Sequence, residues 1–137
     1  MIHTATAHWQ RNSGKNTGSL IMQSFTLDEN NFNLKGDFGR EVQANPEVLL
    51  AAAHAGSFTL AVVSLLGQKG ITPITLETQA DLTLVDADIT AIHLSINGQL
   101  DDINAEDFAT ITKEAGINCF ISKIIKVPVT SEVHFIT

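Results

Sequence analysis

Cysteine is nearly absent from this chain, which contains a single copy, Cys119, among 137 residues. One cysteine excludes an internal disulfide and is typical of a protein kept in a reducing cytoplasm. The first ten residues, MIHTATAHWQ, also lack the basic start and the long apolar run of a signal peptide. We therefore expect a cytoplasmic protein.

Basic residues are scarce and scattered. Eight Lys and Arg stand against fifteen Asp and Glu, which gives a formal net charge of −7, and this balance disfavours nucleic acid as a partner. The sequence also lacks a glycine-rich phosphate loop, and its histidines show no close spacing typical of metal ligands. We expect neither a metal nor a cofactor. The histidines are His3, His8, His54, His93 and His134.

Charge is missing altogether from Val48 to Gln68, a run of 21 residues that is long enough to cross a bilayer. However, this run is rich in alanine, contains polar side chains and lacks basic or aromatic flanks on one side. The remaining segments alternate like strands with one wet face. These features favour the core helix of a soluble protein over a membrane span.

The same run begins with the residues of a helix start. Asn45 is a good N-cap, Pro46 suits the first helical position, and Glu47 carries the negative charge that the helix dipole favours there. The helix is predicted to end near Gln68, with Gly70 as its C′ residue. Because it is apolar nearly all round, one sheet cannot cover it. The second partner is plausibly another copy of the protein.

The other segments predict an α+β fold. The first 40 residues resemble a three-stranded meander, and two alternating strands joined at Asp86–Asp88 follow the long helix. A second helix is predicted from the cap Asn104 to a stop at Gly116, then a short helix beginning near Asn118 or Cys119, and a last strand in KVPVTSEVHFIT. This order predicts a single domain over residues 1–137, with a mostly antiparallel sheet and its helices on one face.

Polar side chains share one face of the long helix. Glu47, His54, Ser57 and Ser64 fall within a sector of roughly 100°, an arrangement that invites a Ser–His–Glu hydrolase interpretation. Three features exclude it: a mid-helix serine has no oxyanion hole, the G-x-S-x-G turn is missing, and Glu47 lies two turns from His54. The simpler interpretation is that His54 and Ser57 lie in the core and form hydrogen bonds to carbonyls or water.

Cys119 has two interpretations that the residues alone leave open. At the start of a short helix, its thiol would lie at the positive end of the helix dipole, which favours the thiolate. Lys123, one turn further on, adds a positive charge. The alternative is a small buried hydrophobic residue without chemistry.

Two segments, ANPEVLLAAAHAGSF and INCFISKII, resemble the signature regions of the OsmC/Ohr family, the osmotically inducible and organic hydroperoxide resistance proteins. The first family motif is similar to N-P-E-x-L followed by A-A-C-F, and the second to C-P-[VI]-S-K. The resemblance implies the OsmC-like fold as an intertwined homodimer with the long helices in its core. It also implies a thiol peroxidase that acts on hydroperoxides. In that cycle the two cysteines form a disulfide, and a dithiol reductant reopens it.

The resemblance carries over residue by residue. Ser57 stands where the peroxidatic cysteine belongs, Cys119 stands at the second cysteine, and Glu47 matches the glutamate of N-P-E. Phe120 replaces the proline that follows the second cysteine. The family's arginine aligns with an acidic residue, so its replacement stays open among three positions. These are Asp37, Lys35 and Arg40.

Because Ser57 cannot cycle through a sulfenic acid and a disulfide, the two-cysteine mechanism is not expected here. One hypothesis is an oxidative-stress-related member that binds a small apolar or acyl ligand. The second is an active one-cysteine peroxidase or thiol carrier that uses Cys119. The third is a structural or partner-binding dimer. The resemblance also implies that Ser57 and Cys119 lie close together at the mouth of an apolar pocket, across the dimer interface, because the family's two sulfur positions must meet within disulfide reach.

Overall fold

The computed structural model describes residues 2–13, 18–24 and 46–136 of the chain. Within them it has five strands and three helices. The third strand predicted for the first 40 residues, the cap Asn45 and the positions Lys35, Asp37 and Arg40 lie outside the described residues. The elements are β1 Ile2–Arg11, β2 Gly18–Ser24, α1 Pro46–Gln68, β3 Thr75–Val85, β4 Asp88–Gln99, α2 Ala105–Asn118, α3 Phe120–Ile124 and β5 Val129–Ile136.

The five strands form one sheet in the order β2-β1-β3-β4-β5. The first three pairings are antiparallel, and β5 joins β4 in parallel after the chain has crossed over through α2 and α3. β3 and β4 are joined by a two-residue turn in which Asp86 and Ala87 have φ angles of 52° and 67°, as a tight hairpin requires. The α+β fold with a mostly antiparallel sheet is therefore confirmed.

Alternation along the strands separates an apolar face of the sheet from a polar one. On β4, Ile92, Leu94 and Ile96 are fully buried, as predicted, while His93 and Ser95 lie on the opposite face, where both contact Glu132. The helices pack against the apolar face. Gly98 of β4 allows the closest approach, because a Cβ atom there would lie 2.5 Å from the Phe108 ring of α2.

α1 is the central helix of the fold. It begins at Pro46 and ends at Gln68, and Gly70 takes a φ angle of +72° beyond the end, which confirms both predicted ends. By length and composition α1 could cross a membrane, yet half of its most apolar window is buried inside the fold. Leu60 marks a face of α1 that the described residues leave open, since it stays 49% exposed.

α2 begins as predicted, because the Asn104 side chain accepts a hydrogen bond from the Asp107 backbone N–H at 2.8 Å. The predicted stop at Gly116 is wrong. The helix continues to Asn118, and the Cys119 N–H still donates to the Ala115 carbonyl. Glycine inside a helix costs only about 1 kcal/mol, so it does not have to end one. A Cβ atom at Gly116 would lie 3.6 Å from Phe58, an ordinary van der Waals distance, so packing does not require a glycine there either.

Candidate functional site

An apolar pocket of about 580 Å³ lies between α1 and the junction of α2 with α3. This volume falls in the range of small-molecule sites. Its α1 wall consists of small and apolar residues with two serines, and its other wall comes from the end of α2 and the start of α3. The lining residues are Ala53, Ser57, Leu60, Ala61, Ser64, Leu65, Ala115, Asn118, Cys119, Phe120 and Ile121.

Cys119 is held at this pocket by the break between two helices. It is the C-cap of α2 and the N-cap of α3, which confirms the predicted short helix. Its side chain is 3% exposed, and its thiol donates to the Ser122 hydroxyl across 3.0 Å. Cys119 is thus both buried and part of the pocket wall.

His54 reaches the same junction from α1. Its Nε2 lies 2.8 Å from the Ser122 hydroxyl, so a side chain 68 residues away takes the place of the carbonyl or water expected for it. His54 is fully buried, and the resulting desolvation lowers its pKa from 6.5 to about 4. Its Nδ1 has no hydrogen-bond partner among the described residues. At neutral pH His54 is therefore an uncharged, polar core residue.

Ser57 and Cys119 line the same pocket within one chain. The two residues therefore share one apolar pocket within a single chain, and their meeting across a dimer interface stays a prediction. Glu47 lies elsewhere, in the first turn of α1. Ten residues of helix separate it from Ser57, about 15 Å at 1.5 Å per residue. In the part of the chain that the structure describes, Glu47 does not line the pocket.

Charges stand apart from the pocket. Among the lining residues that the structure describes, none carries a charged side chain. Lys123 is exposed, and its Nζ lies 6.0 Å from the centroid of the Phe120 ring. Among the described residues, no group of three His, Cys, Asp or Glu side chains could hold a metal ion. What this site offers is a thiol, hydroxyls and apolar surface.

Sequence reasoning missed Ser122, the residue that joins Cys119 to His54. A local signal was present, because a residue three positions after Cys119 lies one helical turn away from it. The contact with His54 had no such signal, since it joins helices 68 residues apart.

Comparisons with known proteins identify the family to which this fold belongs. The profile of the family described as OsmC-like protein matches residues 39–134. The peroxiredoxin OsmC of Escherichia coli is 34% identical over 128 residues, which cover 90% of both chains. The chain therefore belongs to the OsmC-like family.

Solved structures agree on the fold. An OsmC-like protein from Mycoplasma pneumoniae superposes with a TM-score of 0.63 at 11% identity, over 87% of this chain and 84% of its own. The organic hydroperoxide resistance protein OhrB of Bacillus subtilis superposes with a TM-score of 0.51 at 20% identity, over 98% and 97% of the two chains. At these identities the likeness shows the shared fold.

Proposed function

We propose that this chain is an oxidative-stress-related OsmC-like protein whose pocket binds a small apolar or acyl ligand and which does not run the two-cysteine peroxidase cycle. One observation carries the proposal: a serine, Ser57, and the chain's single cysteine, Cys119, line one apolar pocket. Relatives named as a peroxiredoxin and a hydroperoxide resistance protein support the link to oxidative stress.

The chemistry of Ser57 excludes the two-cysteine cycle. A serine hydroxyl remains protonated at neutral pH and is a weak nucleophile without an activating base. It also cannot be oxidised to a sulfenic acid that a second cysteine then resolves. With Ser57 at this position, the pocket retains its wall but loses the step that begins the cycle.

The lining of the pocket selects the class of ligand. Apolar side chains dominate it, and a volume of about 580 Å³ fits a molecule of fatty-acyl or aryl type. A hydroperoxide with an apolar tail has the same shape. An anionic ligand is disfavoured, because the described part of the lining offers it no positive charge.

The open face of α1 supports a homodimer. Leu60 is 49% exposed in the middle of α1, the most apolar of the described helices, and exposed apolar surface on such a helix is typical of an interface. We infer that a second copy packs its own α1 against this face. Such a dimer would close the pocket on the side where Leu60 and Ala61 line it.

A second candidate function is a one-cysteine peroxidase, which the place of Cys119 in the pocket wall favours. The Cys119 thiolate would attack the outer oxygen of a hydroperoxide, the O–O bond would break, and the alkoxide would take a proton and leave as the alcohol. A small thiol would then condense with the sulfenic acid and release water. A second equivalent would free Cys119 and leave as the oxidised disulfide.

Hydroperoxide consumption separates the two functions. Purified protein is mixed with an organic hydroperoxide and a dithiol reductant, beside its Cys119→Ser variant, and loss of peroxide is followed. If the protein only binds a ligand, it consumes no more hydroperoxide than Cys119→Ser does. It still binds an apolar fluorescent probe in the pocket, seen as a change in the fluorescence of the probe. Turnover that disappears in Cys119→Ser establishes the one-cysteine peroxidase. If the protein shows no turnover and does not bind the probe, both functions are contradicted and a structural role is favoured.

A further inference from the structure

Three polar side chains form a continuous chain behind the pocket wall. The Cys119 sulfur lies 3.0 Å from the Ser122 oxygen, and the Ser122 oxygen lies 2.8 Å from Nε2 of His54. This Cys119–Ser122–His54 chain joins α3 to the central helix. Neither the ligand pocket nor the lost two-cysteine cycle uses Ser122 or His54.

The unpartnered ring nitrogen indicates the direction of the chain at rest. The Cys119 thiol donates to the Ser122 oxygen, whose second lone pair accepts from the Nε2–H of His54. In this tautomer Nδ1, the buried nitrogen without a partner among the described residues, carries no proton, so no N–H group is buried unpaired.

We propose that Ser122 is a positioning residue, supported by His54, which turns its own proton to the Cys119 sulfur when Cys119 ionises and thereby holds that sulfur as a thiolate at the pocket wall. The thiol proton leaves to solvent through the pocket that Cys119 lines. The Ser122 hydroxyl then rotates so that it donates to the sulfur, and one proton is released in total. The final state has a neutral His54 donating to Ser122 and Ser122 donating to the sulfur.

The side chains around the sulfur offer it hydrogen bonds and no charge in the part of the chain that the structure describes. Burial keeps His54 uncharged, since its pKa falls to about 4, so α1 brings a hydrogen-bond donor and not a cation. On α3, Lys123 is exposed beside Phe120. On α2, Lys113 and Glu114 are exposed and line other cavities. A hydrogen bond to the charged form therefore favours the thiolate together with the N-terminal dipole of the five-residue α3, which Cys119 caps.

The inference deepens the second candidate function. It rests on that function only in taking a hydroperoxide as the electrophile that the Cys119 thiolate attacks. Alkylation of the thiol by iodoacetamide tests it without any peroxide, and the single cysteine makes the signal unambiguous. The decisive pair is Ser122→Thr against Ser122→Val, because the two side chains have the same shape and only threonine keeps the hydroxyl. Thr110→Val is the matched control, since it removes a hydroxyl that bonds only to the Glu106 carbonyl on α2.

Alkylation rates are measured from pH 5 to 10, with circular dichroism to verify folding. Wild type, Ser122→Thr and Thr110→Val should share one pH profile. Ser122→Val should react about tenfold more slowly at pH 7, with its profile moved up by about one pH unit, because a hydrogen bond to a charged group is lost. Coinciding profiles for Ser122→Thr and Ser122→Val overturn the proposal. An equal shift in Thr110→Val overturns it too.

The peroxidase assay then fails or succeeds independently. A shifted profile in Ser122→Val with no peroxide consumption leaves the hydrogen-bond chain standing and removes the one-cysteine peroxidase. Peroxide consumption with unshifted profiles supports the one-cysteine peroxidase and removes the role proposed for Ser122.

Discussion

The Thr59 hydroxyl of α1 lies 2.7 Å from the Thr78 hydroxyl of β3, and both side chains are fully buried. Thr59 also lies 2.8 Å from the Ala55 carbonyl. A carbonyl only accepts, so the single Thr59 proton goes to Ala55 and the Thr78 hydroxyl donates to Thr59. This pair fixes the central helix to the sheet by a polar contact in a largely apolar core.

The direction of that hydrogen bond predicts unequal costs of removing its partners. Thr59→Val leaves the buried Thr78 donor without an acceptor and should lower the free energy of unfolding by about 1–3 kcal/mol. Thr78→Val leaves only an unused lone pair on Thr59 and should cost about 1 kcal/mol. The double variant should cost less than the sum of the two, measured by urea denaturation. Equal and additive losses would contradict the assigned direction.

His54 should make the protein less stable in mild acid. The unfolded histidine takes up its proton near pH 6.5, whereas the folded one does so near pH 4. Between these values the unfolded state binds a proton that the folded state lacks, so stability falls as pH drops from about 6.5 to 4 and then levels off. The loss is up to about 3 kcal/mol.

The check is urea denaturation at several pH values. His54→Gln should remove this part of the decline, and His3→Gln should keep it. Carboxylates contribute their own decline in acid, so the difference between wild type and His54→Gln is the quantity to compare. Parallel curves for those two proteins would show that His54 is protonated equally in both states.

The open face of α1 predicts a homodimer that a single charge disrupts. Wild type should sediment at about twice the chain mass at micromolar concentration. Leu60→Glu should sediment as a monomer, because burying an unpaired carboxylate in an apolar interface is unfavourable. Val85→Glu is the control: Val85 is 52% exposed, close to the 49% of Leu60, but lies at the end of β3, and the variant should stay dimeric. A monomeric wild type would refute the homodimer.

The fold was predictable where local rules act alone. Three predictions depend only on neighbouring residues, and all three are confirmed: the cap at Asn104, the helix start at Pro46 and the turn at Asp86. The predicted cap Asn45 lies outside the described residues. The stop predicted at Gly116 is wrong because a glycine costs a helix only about 1 kcal/mol, so the residue alone does not show where a helix ends.

The site was less predictable for a related reason. Alternation and helical periodicity show which face a residue occupies, but not which residue it meets on another element. The motifs pointed to Ser57 and Cys119, and the structure places both at one pocket. The partner of His54 was beyond reach, because packing of α1 against α3 decides it.

Replacing Ser57 by cysteine tests the proposed loss of the two-cysteine cycle. Ser57→Cys should restore part of a hydroperoxide reductase activity, since Cys119 already lines the same pocket. On oxidation the two thiols should form a disulfide, visible as the loss of two hydrogens by intact mass, provided that their Cα atoms approach within about 4.4–6.8 Å. Ser64→Cys is the control, because it adds a thiol to the same wall about 10 Å further along α1.

The restored activity should rise with pH, because desolvation on an apolar helix face disfavours the charged form of the introduced thiol. Adding Asp37→Arg should increase turnover at neutral pH if position 37 occupies the family's arginine site, since a positive neighbour favours a thiolate. The readout is organic hydroperoxide loss with a dithiol present. Equal activity in Ser57→Cys and Ser64→Cys would mean that any pocket thiol suffices. Wild-type activity as high as that of Ser57→Cys would show that Ser57 is no defect and that Cys119 alone carries the chemistry.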